Sequence, residues 1–231
     1  MTSPTSSSRE QHAALIAANL ADVDAKLARL GRSRDEITVV AVTKTHSVET
    51  VLAAYDAGLR CFGENYVDEL VSKSAATRTL PGIEWQFLGA LQSRKIRTIA
   101  QHATVITTVS RHKEIAALAA CDRPRPRLFI QVDFTDDDGR NGAEPGEVAE
   151  LVTAARARDL DVIGLMTVAP VKVEEAERAF RTLADLATDQ GLVELSMGMS
   201  GDYELAVSAG ATQIRLGQAL LGPRNPVSAV T

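Results

Sequence analysis

Aromatic residues are scarce, only 4% of 231 residues. The core must therefore be filled by Val, Leu, Ile and Ala. Cysteine is almost absent. Cys61 and Cys121 stand far apart and form no CxxC pair, so neither a disulfide framework nor a zinc site is expected. The histidines, His12, His46, His102 and His112, lack the spacing of a metal pair. His46 is expected at the surface. Positive charge is not in excess, because the formal net charge is −5. That argues against a general nucleic-acid binder, which needs a basic face. The cluster of Arg94, Lys95 and Arg97 reads as a solvated helix face. No apolar run approaches the roughly 18 residues that suggest a membrane span. The opening "MTSPTSSSRE" has no apolar signal core. The expectations are a cytoplasmic chain without nucleic-acid or membrane partners, a disordered tail over 1–8 and one domain over 9–231. No Pro/Gly/Ser-rich linker divides that domain.

What is present is a regular alternation. From Gln11 to Leu30 the apolar residues Ile16, Leu20, Val23, Leu27 and Leu30 recur at helical spacing. Short apolar or β-branched runs follow at 37–44, 61–65, 84–90, 105–109, 127–134, 161–168, 193–199 and 213–218. Helix-like segments lie between them at 47–58, 65–77, 93–102, 111–121, 146–159, 173–190 and 201–210. The runs are apolar on both sides, as in a parallel sheet covered by helices. Eight βα units in an undivided domain predict a (β/α)8 TIM-type barrel with an extra N-terminal helix. An open doubly wound sheet is the alternative, but no GxGxxG follows the first run.

In such a barrel the active site lies at the C-terminal strand ends. Lys44 closes the first run, "VVAVTK". Either it snorkels to water, or it pairs with Glu64, or it is a buried amine that attacks an aldehyde. Glu64 and Asn65 close the second run. "SMGMSGD" brings Ser196, Ser200 and Gly201 to a strand end that opens a helix. That place suits a phosphate, and equally suits Ser200 as a simple N-cap. Gly217 and Gln218 end the eighth run, where a glycine lets an anion approach the backbone. Arg215 sits between Ile214 and Leu216 and needs a buried acceptor. That acceptor is an inward acid or an atom of a ligand.

These residues carry a resemblance. The pieces "AVTKTHSVETVLAAYDAG", "CFGENYVDELVSK", "WQFLGALQSRK", "GLMTVAP" and "LSMGMSGDYELAVSAGATQIRLGQALLG" resemble the pyridoxal phosphate homeostasis proteins. These are single-domain relatives of the alanine racemase N-terminal barrel, and the likeness runs from about residue 10 to 224. The resemblance implies a barrel of the alanine racemase type that binds pyridoxal 5′-phosphate (PLP). It implies that Lys44 holds PLP as an internal aldimine and that Arg215 faces the pyridine nitrogen. Ser200, Gly217 and Gln218 match phosphate-binding positions, with Ser196 close by, and Asn65 stands beside the cofactor. It implies buffering and delivery of PLP to dependent apoenzymes, without catalytic turnover. A monomer is expected.

Some positions depart from the family's pattern. Gln218 stands where Thr is common, so a hydroxyl contact to phosphate is lost while the backbone N–H remains. Ala90 replaces the proline of "GPLQ". The usual Ser-Gly-Lys-x-Gly loop is Asp138-Gly139-Arg140-Asn141-Gly142, with Arg not equivalent to Lys. Three competing readings remain. A PLP-dependent racemase or lyase would need a second base. A Schiff-base aldolase would carry its lysine on a later strand. A scaffold would use the basic loop "CDRPRPR".

Overall fold

The computed structural model of the chain describes residues 4–135 and 141–222. Eight parallel strands close into a barrel, each hydrogen-bonded to the next, with the first paired to the last. The strands are β1 (Thr38–Val42), β2 (Cys61–Glu64), β3 (Glu84–Phe87) and β4 (Val105–Val109). They continue as β5 (Arg127–Val132), β6 (Val162–Thr167), β7 (Glu194–Ser196) and β8 (Gln213–Leu216). Around them lie α1 (Pro4–Arg29), α2 (Val48–Asp56), α3 (Val67–Thr77), α4 (Ile96–His102) and α5 (His112–Ala119). The ring is completed by α6 (Val148–Arg156), α7 (Val173–Asp189), α8 (Tyr203–Ser208) and α9 (Gln218–Leu221).

The core is built as the composition requires. Val40, Ala41, Ile106, Leu128, Ile130, Leu165, Ile214 and Leu216 are buried on the strands. Helix α7 shows how the outer ring attaches. Ala176, Phe180, Leu183 and Ala187 recur at helical spacing and are all buried. Burying the Phe180 and Leu183 side chains contributes roughly 1.5–3 kcal/mol each. The helix ends where Gly191 takes φ +63, a conformation that Cβ disfavours in other residues.

Several expected boundaries move. Strands β1, β2, β3 and β5 to β8 are shorter at their C-terminal ends than the apolar runs suggested. Gln218 leaves the eighth strand and opens α9. Helix α1 begins at Pro4, inside the stretch expected to be a disordered tail, because proline suits a first helical turn. Residues 1–3 lie outside the described residues, as do Asp138, Gly139 and Arg140 of the departed loop motif.

The barrel interior carries a polar layer. Gln86 Nε2 on β3 donates across the barrel to Gln213 Oε1 on β8, at 2.9 Å. Gln213 Nε2 donates to Ser196 Oγ on β7, at 2.7 Å. This layer lies beneath the site described next.

Candidate functional site

A cavity of about 660 Å³ opens at the C-terminal strand ends. Its polar wall is Lys44, Asn65, Ser200, Gly201, Arg215, Gly217 and Gln218. Its apolar wall includes Val42, Leu88, Met166, Val168 and Met199. Six of the seven residues singled out from the sequence therefore meet in one space. Ser196 does not. It is fully buried below, where its hydroxyl and carbonyl hold Arg215. A second cavity of about 350 Å³ adjoins the first, and shares Asn65, Leu88, Met166 and Val168 with it. Gln131 and Asp133 line only the second.

Arg215 is placed by β8 but held by its neighbours. Nη1 donates to the Ser196 carbonyl at 2.7 Å and to Ser196 Oγ at 2.9 Å. Nη2 donates to the Thr167 carbonyl at 2.7 Å. No carboxylate among the described residues lies within ion-pair distance, so the expected alternative of an inward acid is not what holds it. Burial lowers the guanidinium to about 10, which leaves it protonated at neutral pH. An arginine has five N–H donors. Three are engaged, and two remain on a side chain that lines the cavity.

Lys44 sits two residues beyond the end of β1 and is half-buried. It does not pair with Glu64. Glu64 is fully buried and accepts instead from Lys73 Nζ at 2.7 Å and Thr43 Oγ1 at 2.6 Å. Burial pushes the Glu64 carboxyl up, and the Lys73 ammonium and Thr43 hydroxyl partly offset that. Thr45, next to Lys44, has φ +64. For a β-branched residue this is a strained conformation, of order 1–3 kcal/mol. Such strain persists only where the surroundings over-determine it.

The remaining polar wall is backbone-rich. Met199 N–H donates to Asp202 Oδ1 at 2.6 Å and fixes the turn through Ser200 and Gly201. Gly217 caps α9, whose first N–H groups have no partner within the helix. The far end of α9 is held by α1. Asn19 Nδ2 donates to the Leu220 carbonyl at 3.0 Å, and His12 Nε2 lies 2.9 Å from the Leu221 carbonyl. Together the walls offer one primary amine, one buried cation with spare donors and two backbone turns beside apolar faces. Such a space suits a flat aromatic aldehyde that carries an anion.

Sequence reasoning missed several contributors. The apolar wall residues were read as strand continuations. Lys73 and Glu69, spaced i,i+4 on α3, look like an ordinary exposed pair. His46 was expected in solvent and is buried. Tyr66 was expected in the helix and instead precedes it, exposed. Among the described residues no group of three or more His, Cys, Asp or Glu could hold a metal. No described helix is long and apolar enough to cross a membrane.

Comparison with known proteins agrees with this geometry. The family described as alanine racemase, N-terminal domain, matches residues 15–225. The pyridoxal phosphate homeostasis protein of Escherichia coli K12 is 37% identical, over 91% of this chain and 97% of its own. The solved structure of PipY from Synechococcus elongatus with PLP bound superposes with a TM-score of 0.77 at 34% identity. It covers 90% of this chain and all of its own. Alanine racemase from Corynebacterium glutamicum, at 19% identity and TM-score 0.71, shares the fold over 64% of its length. The chain thus belongs to the alanine racemase N-terminal-domain family, among the pyridoxal phosphate homeostasis proteins.

Proposed function

We propose that this chain binds PLP as a Schiff base on Lys44 and acts in PLP homeostasis, by buffering and delivery rather than turnover. The observation that carries the reading is the meeting of Lys44, Arg215 and the Ser200 and Gly217–Gln218 turns in one cavity. The residues fit the group. Lys44 supplies the amine for the aldehyde, with loss of water. Arg215 supplies a donor for the ring nitrogen. Ser200 and the backbone of Gly201, Gly217 and Gln218 cradle the phosphate, and Asn65 stands beside the ring. Gln218 contributes its backbone N–H where a hydroxyl is usual. Ser196 acts one step back, by holding Arg215.

The chemistry that PLP supplies when bound is electron withdrawal from an attached amine. Arg215 limits it. A guanidinium that stays protonated donates to the ring nitrogen but does not protonate it, which leaves a poorer electron sink. Proton removal from a substrate also needs positioned bases. Among the described residues, no Asp, Glu, His or Tyr lines the main cavity. The adjoining cavity holds Asp133, whose Oδ1 is engaged by the Thr135 N–H and hydroxyl. PLP-dependent apoenzymes are the recipients in this reading. The chain works in the cytoplasm, as a monomer.

Absorbance of the protein given PLP, before and after borohydride, tests the reading. We expect a Schiff-base band, and borohydride labelling that maps to Lys44. Lys44→Ala should lose both and keep only weak, non-covalent PLP. A band that survives Lys44→Ala refutes the assignment. A racemase or lyase would exchange the α-hydrogen of an amino acid in deuterated water faster than free PLP does, and we expect no such excess. Sedimentation should give a monomer mass.

A further inference from the structure

Beneath Lys44 lies a buried cluster that the proposed function does not use. Lys73, on α3, is 4% exposed and lines neither cavity. Its ammonium has three donors, and each has a partner. Nζ donates to the Thr43 carbonyl at 2.8 Å, to Glu64 Oε1 at 2.7 Å and to Glu69 Oε2 at 2.6 Å. Glu64 in turn accepts from Thr43 Oγ1, and Glu69 Oε2 accepts from the Thr45 N–H at 2.8 Å. The residue before Lys44 and the residue after it are therefore both gripped, and both grips meet at Lys73.

The turn they grip is not one the chain would keep unaided. Thr45 is left-handed at φ +64, and its hydroxyl is buried without a hydrogen-bond partner. The turn is closed on itself by one bond, His46 N–H to the Thr43 carbonyl at 3.0 Å. Lys73 binds that same carbonyl. A surface lysine at this helix position would need none of this. We propose that Lys73 is a positioning residue, which fixes the strained Thr43–Thr45 turn so that the Lys44 amine stands at the angle needed to meet an aldehyde in the cavity. The inference rests on the reading of Lys44 as the PLP-binding amine. It assigns to α3 a role in covalent capture that no cavity-lining residue reveals.

Two ligands separate this role from a merely structural one. PLP reports amine capture together with the phosphate and ring contacts. Pyridoxamine 5′-phosphate has no aldehyde and reports those contacts alone. Lys73→Met should weaken PLP binding by about tenfold to a hundredfold, the scale of a misplaced reacting group. It should also diminish the Schiff-base band and slow borohydride labelling of Lys44. Pyridoxamine 5′-phosphate binding should stay within about twofold of the unaltered chain, because Lys73 makes no contact in the cavity. Glu69→Ala removes the Thr45 grip and one of the three Lys73 partners, at a partly exposed position, while Lys73 keeps Glu64 and the Thr43 carbonyl. This variant should give a smaller split of the same sign. It carries the test if Lys73→Met does not fold. Parallel losses for both ligands, unchanged binding of both, or failure of both variants to fold would each overturn the proposal. If the unaltered chain binds neither ligand, the PLP reading itself fails, and the inference with it.

Discussion

Arg215 is a charge almost wholly withdrawn from water, and it is held by oxygens rather than by an acid. Its bonds reach the ends of β6 and β7, so one side chain joins three neighbouring strands. Replacing it with Met removes a desolvated cation but leaves the Ser196 and Thr167 carbonyls without that donor. Such orphaned groups cost about 1–3 kcal/mol. Arg215→Met should therefore lower unfolding stability by about that much in a urea titration and weaken PLP binding as well. Lys73 gives the opposite balance. Lys73→Met strands the Glu64 carboxylate in the core, a loss of about 3–5 kcal/mol at neutral pH. The sign of its pH dependence follows from Glu64. A carboxyl raised above its unfolded value binds its proton more tightly in the fold. The folded state is then favoured at low pH and loses stability as pH rises through the folded value. The deficit of Lys73→Met should shrink as pH falls toward the ordinary carboxyl range. A deficit constant between pH 5 and 8 would show that Glu64 is not the stranded group.

At the scale of elements, the site depends on two short pieces that others support. Helix α9 is a single turn, too short to persist alone. Asn19 and His12 of α1 take up its last carbonyls. Asn19→Ala should lower stability by about 1 kcal/mol and loosen Gln218 in the cavity, seen as weaker binding of pyridoxamine 5′-phosphate. Gly89 is the other close approach. A Cβ there would stand 2.1 Å from the Asn65 carbonyl oxygen, so Gly89→Ala must displace the backbone of Asn65. Reduced thermal stability together with reduced PLP affinity is the expected outcome. The sequence announced every strand and nearly every helix, because β-branched runs and helical spacing speak for themselves. It misplaced the strand ends for one reason. Residues such as Val168 and Met199 are apolar because they line a cavity, not because they continue a ladder. Gln218 followed a strand-like "RLG" and gave no sign of the turn at Gly217. Lys73 and Glu69 were illegible for a different reason. Their spacing is the commonest exposed pair, and only the packing of α3 against β2 and β3 buries Lys73.

For the molecule as a whole, the barrel shields both thiols. Cys121 is buried, and Cys61 is only partly exposed at the start of β2. Burial, reinforced by Glu84, pushes the Cys61 thiol up to about 12. Burial raises Cys121 too. Since the thiolate is the reactive form, native protein near pH 8 should react slowly with a thiol reagent. Both cysteines should become available together with global unfolding in denaturant. Rapid labelling of native Cys61 would mean that the strand start opens on its own.

The bonds of Arg215 have a thermodynamic consequence. All three are made to the protein itself, so the guanidinium needs no ligand to be ordered. A pocket whose central cation is already fixed does not fold around its cargo. Loading should bury little beyond the surface of the incoming molecule. Calorimetry across temperatures should then find a heat-capacity change of small magnitude, without the large negative value that accompanies coupled folding. With the Schiff base proposed at Lys44, exchange of PLP would then be limited by bond chemistry there rather than by motion of the barrel.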